Sequence, residues 1–132
     1  MKKLVLAVLA YVLPTFPLGY FWHLKTFAGY YQSLEVYRTD MIIPFGLLSM
    51  LVQGVVWAVL YRRLFAGQSI VAGAIKFAAL ALPLSWSFMA LAVSAKHRMT
   101  SPYAYLGIET AFVTLHYVVV SPLIAAVYRK GN

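Results

Sequence analysis

Apolar positions in this chain gather into four long runs, Lys3–Trp22, Met41–Tyr61, Ile70–Ser94 and Tyr103–Tyr128, with the polar positions mostly between them. A hydrocarbon core about 30 Å thick is crossed by about 20 helical residues rising ~1.5 Å each, so every run is long enough to span a bilayer. None has the ~10-residue alternation of a barrel strand. The pattern predicts an all-α, polytopic membrane protein. It is one domain over residues 1–132, an antiparallel four-transmembrane-helix bundle with spans at about 3–22, 41–61, 70–94 and 103–128.

The stretch between the first two spans has its own period. Phe27, Tyr30, Tyr31, Leu34 and Tyr37 recur at helical spacing while Lys25, Gln32, Glu35 and Arg38 fall mostly elsewhere. This predicts a short amphipathic interfacial helix over about 25–38, lying flat on the membrane. Trp22 and His23 extend the same aromatic belt, in which Tyr30, Tyr31 and Tyr37 bury their rings and keep their hydroxyls wet. The segment reads either as a surface anchor or as a lid over a pocket that opens outward.

Boundaries follow from turn chemistry. Thr39 or Asp40 is the expected N-cap of the second span, with Pro44 in its first turn; Gly67-Gln68-Ser69 and Thr100-Ser101-Pro102 make the later connections. Pro14, Pro17, Pro83 and Pro122 fall inside spans. A kink at Pro14 or Pro83 frees a carbonyl for which Thr15 or Ser85 is a candidate partner. The bent helices either fit around one another or open a cavity.

With 63% hydrophobic and 11% charged residues and a mean hydropathy of +0.80, the chain has too little polar side chain to coat a soluble globule. Met1-Lys2-Lys3 before Leu4–Ala10 resembles the start of a signal peptide, yet the apolar run continues through Pro14, Pro17 and Phe21 without a small-x-small cleavage site. The first helix is therefore expected to be retained. Cysteine is absent, which excludes disulfides, thiolate metal sites and a cysteine nucleophile.

The net charge of +8 is distributed as a topology signal and not as a nucleic-acid surface. If the spans alternate in direction, Lys2, Lys3, Arg62, Arg63, Lys76, Arg129 and Lys130 share one side. Lys25, Arg38, Lys96 and Arg98, offset by Glu35 and Asp40, share the other. The positive-inside rule then places both termini in the cytoplasm.

Glu109 and His116 are the polar residues inside a span that most need explanation. Seven residues are about 700° of rotation, so both leave one face of the fourth helix. An ionisable group at that depth costs ~2.5–3.5 kcal/mol unless it looks into protein or water. The pair reads either as a proton relay bridged by water or another side chain, or as polar ties between helices. On the second span Gly46, Ser49, Gln53 and Trp57 form a small and hydrogen-bonding stripe expected to face the core, with Gln53 opposite His116 and with Gly46 and Ser49 near Glu109. Trp86 on the third span either walls a cavity or packs.

No catalytic residue, metal site or cofactor is expected. A bis-histidine haem needs a second deep histidine, and no phosphate loop, hydrolase elbow or zinc-protease motif is present. Tyr37 to Pro44, continuing through Gly46 to Gly54, resembles small bacterial membrane proteins of the domain-of-unknown-function 1761 kind. That resemblance implies a compact bacterial four-helix membrane domain of unknown role, for which the bacterial inner membrane is the expected location.

Two function classes fit these residues. One is a non-enzymatic binding or accessory protein that holds a lipid-like ligand or a partner's transmembrane helix, with membrane lipid and a homo-oligomer or larger membrane complex as its partners. The other is a small oligomeric proton-coupled transporter using Glu109 and His116, similar in size to small multidrug-resistance transporters but without their acidic residue in the first helix. A lipid-acting enzyme with the same two residues as its acid and base stands third.

Overall fold

The computed structural model describes residues 1–131; Asn132, the last residue of the expected domain, lies outside them. Every regular element among the described residues is helical: α1 (Lys2–Phe21), α2 (Ala28–Leu34), α3 (Ile43–Leu64), α4 (Ile70–Trp86), α5 (Ala92–Lys96) and α6 (Pro102–Tyr128). A π-helical turn over Trp22–Thr26 prolongs α1, and another over Ser87–Leu91 joins α4 to α5. Four helical runs result, Lys2–Thr26, Ile43–Leu64, Ile70–Lys96 and Pro102–Tyr128, each long and apolar enough to cross a membrane. This is the make-up of a multi-pass membrane protein.

The four runs do not contribute equally. The most apolar window of α6 is 44% buried against 17% for each of the others, so α6 is the element around which the rest is arranged. Its inward stripe runs from Tyr105 through Glu109, Phe112, His116 and Tyr117 to Ile124 and Tyr128. Against it α1 sets Ala7, Tyr11 and Thr15, and α4 sets Gly73, Phe77 and Ala81, each series at four-residue intervals. Helix residues four apart lie one above the other, so each series makes a continuous contact line.

α3 leans on α1 through Gly54, where an added Cβ would lie 3.3 Å from atoms of both Tyr11 and Val12. Below that point, Trp57 and Tyr61 meet Phe77 edge-on at 5.6 and 5.4 Å, and Tyr61 stacks on Tyr128 at 5.6 Å. Above it, residues 41–49 are all exposed. The helices are therefore bound by an aromatic core at the Arg62 end and part from one another at the α2 end.

Local chemistry departs from several expectations. α3 begins at Ile43 with no side-chain cap, because Asp40 is held by Arg38 through bonds of 3.1 and 3.0 Å; Pro44 does lie in the first turn. The helix expected over 25–38 is confined to Ala28–Leu34. Residues 22–26 belong to the π-helical end of α1, and Glu35, at φ 54°, stops the helix in the left-handed region. Its terminal carbonyls are taken by Thr100, whose N–H reaches Leu34 O at 3.1 Å and whose hydroxyl reaches Ser33 O at 2.9 Å. Tyr31 and Leu34 are 2% and 4% exposed and form a small second core with Tyr105, so α2 is packed down on α6.

The prolines act differently as well. Pro17 and Pro83 each precede a π-helical turn by little more than one turn of helix, as expected where a missing N–H lets the ladder slip by one residue. The Thr15 hydroxyl bonds the Tyr11 carbonyl, which is not the group Pro14 frees. Ser85, expected to repair Pro83, instead bonds the Tyr117 hydroxyl.

Candidate ligand cavity

Where the helices part, a cavity of about 550 Å³ lies between α1, α3, the second π-helical turn and α6. Its walls are mostly apolar, with Phe16, Leu47, Met50, Met89, Val93 and Phe112 prominent. Glu109 and His23 lie at the α2 end, and Thr15, Gln53 and His116 lie deeper.

Glu109 is 1% exposed and is the hub of the upper group. Its Oε1 accepts from the Tyr31 hydroxyl at 2.6 Å and the Tyr37 hydroxyl at 3.3 Å, and lies 2.8 Å from His23 Nε2. His23 Nδ1 faces the Gly19 carbonyl at 3.0 Å; a carbonyl only accepts, so Nδ1 carries a hydrogen. Three groups thus converge on one oxygen inside the protein, and the His23–Glu109 contact is a charge-assisted ion pair whenever the imidazole is protonated. Trp22 Nε1 donates to the Tyr31 hydroxyl at 3.0 Å, so the chain of donors runs from Trp22 through Tyr31 to Glu109. Burial first, and the Glu109 carboxylate second, hold the Tyr31 and Tyr37 hydroxyls above the ordinary tyrosine range.

The π-helical turn makes this group possible. It brings His23 over the cavity while leaving its Nδ1 within reach of Gly19, one turn earlier. π-Turns of this kind are frequent at functional sites.

His116 forms a separate, deeper group. The single hydrogen of the Thr15 hydroxyl goes to the Tyr11 carbonyl, so the Thr15 oxygen accepts from His116 Nε2 at 2.7 Å. That fixes the tautomer with hydrogen on Nε2, and Nδ1 is buried without a partner. The ring is held edge-on by Tyr11 at 5.3 Å and lies parallel to Phe112 at 6.0 Å. Phe112 in turn meets His23 edge-on at 4.4 Å. An aromatic ring thus fills the step between the two polar groups.

Glu109 and His116 both point inward, as the phase of the helix predicts, but their partners are not the expected ones. Gln53 accepts from the Tyr11 hydroxyl at 2.7 Å and not from His116. Ser49 is exposed and bonds only back to the Gly46 carbonyl at 2.9 Å, so that part of the stripe lines the open cavity instead of a packed core. Trp57 is buried against Phe77 and Tyr117. Trp86 is not in the cavity wall; its Nε1 donates to Thr110 at 2.8 Å and ties α4 to α6. Of the expected aromatic belt, Tyr30 is 44% exposed, whereas His23, Tyr31 and Tyr37 turn their polar atoms toward Glu109.

Sequence reasoning missed Tyr11 and Phe112, and took Thr15 only for its neighbouring proline. Phe112 was accessible from spacing: three residues after Glu109 and four before His116, it occupies the same face between them. Among the described residues no cluster of histidine and carboxylate side chains is arranged to hold a metal ion. No family model, curated protein or solved structure matches this chain.

Proposed function

We propose that this chain is a multi-pass membrane protein of binding or accessory type. Its cavity holds an elongated, largely apolar molecule of membrane-lipid kind, with the polar end at the Glu109–His23 pair. The observation that carries the reading is the cavity itself: about 550 Å³, apolar along its length and polar at defined points. Small-molecule sites of roughly 300–1,000 Å³ share that lining. The four spans are antiparallel neighbours with both termini in the cytoplasm, a placement supported by seven of the eleven basic residues. The polar end of the cavity then lies on the far side of the membrane, under α2, and the bacterial inner membrane is the expected location.

A proton relay from Glu109 to His116 is less well supported. The Phe112 ring occupies the interval between them, and Glu109 is already bonded to three neighbours.

Gly46 supplies the test. It lines the cavity, and a Cβ there would have nothing within 4 Å, so Gly46→Phe brings bulk to the cavity wall with no clash at its Cβ. Native mass spectrometry of protein extracted gently from its own membrane should show a retained small molecule of lipid mass. Gly46→Phe should lose that molecule and keep its melting temperature. A bare wild-type protein, or retention unaffected by the substitution, would remove the basis for this function.

A further inference from the structure

The Glu109 carboxylate commits only one of its two oxygens to the protein. Oε1 takes the contacts of Tyr31, Tyr37 and His23, at 2.6, 3.3 and 2.8 Å, while Oε2 has no hydrogen-bond partner among the described residues. That second oxygen is not sealed in. The buried side-chain atoms that lack a partner belong to Ser94, His116, Ser121 and Tyr128, and Oε2 is not one of them. Glu109 is 1% exposed and lines the ligand cavity, so what remains open of it opens there. A carboxylate oxygen inside protein is an acceptor that is normally bonded.

Its neighbours have no hydrogen left to give. Tyr31 and Tyr37 each carry one hydroxyl hydrogen, and both go to Oε1. His23 is engaged at both nitrogens, Nδ1 by the Gly19 carbonyl and Nε2 by Oε1. Tyr105, one turn before Glu109 on α6, donates to the Met89 carbonyl at 3.1 Å. Once an apolar molecule fills the cavity, the hydrogen for Oε2 has to come from that molecule.

The proton count limits the charge its head can carry. Because His23 Nδ1 has its own hydrogen, the 2.8 Å contact holds one further hydrogen between Nε2 and Oε1. On the nitrogen it gives imidazolium and carboxylate, on the oxygen imidazole and carboxylic acid, and the pair sums to zero either way. Arg38, the cation in the cavity wall, is engaged by Asp40 through bonds of 3.1 and 3.0 Å. An ammonium head meets no net negative charge here, and an acidic head meets no free cation, so either would leave water without full compensation. A hydroxyl brings the hydrogen at the least desolvation cost.

We infer, on the reading of the cavity as a lipid-binding site, that its occupant is an uncharged lipid with a free hydroxyl, the class of long-chain alcohols and partly acylated glycerols. The hydroxyl is donated to Glu109 Oε2, and the chain lies along the apolar wall.

The experiment offers the full chain, in phosphatidylcholine nanodiscs, tetradecanol, its methyl ether, tetradecylamine and tetradecanoate, each in turn at one concentration. Native mass spectrometry counts the copies that remain bound. Tetradecanol should be retained about tenfold better than the methyl ether, which keeps the chain and the oxygen and lacks the hydrogen, and better than either charged probe. In Glu109→Gln the converging donors hold the amide oxygen in the place of Oε1, so the amide nitrogen stands where Oε2 was. It donates alike to an alcohol or an ether oxygen, and the preference should vanish while both probes still bind. The comparison of probes is made on the unaltered chain, so it stands whatever Glu109→Gln does to folding. Equal retention of alcohol and ether overturns the inference and leaves the lipid-binding reading intact; so does better retention of the amine or the acid, or a preference that survives Glu109→Gln. Failure of every probe to bind, or binding that Gly46→Phe does not weaken, overturns both.

Discussion

Thr15 on α1 and His116 on α6 are joined at 2.7 Å by a hydrogen bond whose direction is set by a third group, the Tyr11 carbonyl that takes the threonine's only hydrogen. The bond crosses 101 positions of sequence and ties the first long helix to the central one. Thr15→Val keeps the shape of the side chain and leaves the His116 N–H buried and unbonded. The expected loss is about 1–3 kcal/mol, and Thr15→Ser should restore most of it. Thermal denaturation in detergent checks both; equal stability of the valine and serine variants would refute the bond's role.

Glu109→Gln tests the upper group. An amide whose oxygen takes the place of Oε1 can still accept from Tyr31, Tyr37 and His23, but it carries no charge, so the bonds lose their charge assistance. The substitution should cost roughly 1–3 kcal/mol, and Glu109→Ala, which strands a buried partner, about 3–5 kcal/mol. Hydrogen exchange should quicken first in residues 28–38, because these are the residues Glu109 holds down. Uniform quickening along the chain would contradict that local role.

The tyrosines over Glu109 give the fold an alkaline limit. Their folded-state pKa values are raised above the unfolded ones, so their contribution is complete below about pH 10 and is lost as pH rises beyond the ordinary tyrosine range. The Cζ resonances of Tyr31 and Tyr37 should stay at their neutral positions past that pH. They should shift only as exchange protection of α2 is lost. Ionisation near pH 10 with α2 still protected would show that the hydroxyls are not buried against the carboxylate.

Gly73 and Tyr61 form a tight fit at the other end. A Cβ on Gly73 would collide with the Tyr61 hydroxyl oxygen, and that ring is confined by Phe77 and Tyr128. Gly73→Ala should cost about 1–3 kcal/mol. Adding Tyr61→Phe removes the clashing oxygen, so the double variant should be more stable than the sum of the single losses predicts. Additive losses in the two-variant cycle would place the strain elsewhere.

Helix number, approximate limits and the inward phase of Glu109 and His116 are legible in the sequence because each depends on one segment alone. An apolar run declares its length, and seven residues on one helix share a face whatever surrounds it. What was not legible depends on pairs of segments. The four runs have mean hydropathies between 1.7 and 2.0, so nothing in them marks α6 as the most buried one. Apolar faces against lipid and against protein are composed alike. His23 and Tyr31 read as a surface belt because amphipathic spacing cannot tell water from a buried carboxylate seventy or more positions away. The slip into π-helix that turns His23 inward leaves only a preceding proline as its trace.

The burial of α6 bears on how the chain is made. α1, α3 and α4 are synthesised before α6, yet α4 has its principal contact surface on that last helix, and α1 divides its own between α3 and α6. Until it emerges, Thr15 lacks its His116 partner and Phe77 lacks Tyr117, and α1 is packed only on α3, at Gly54. Assembly of this protein is therefore completed late in translation, and a ribosome that stops before residue 102 leaves α1 and α3 paired and α4 without its main partner.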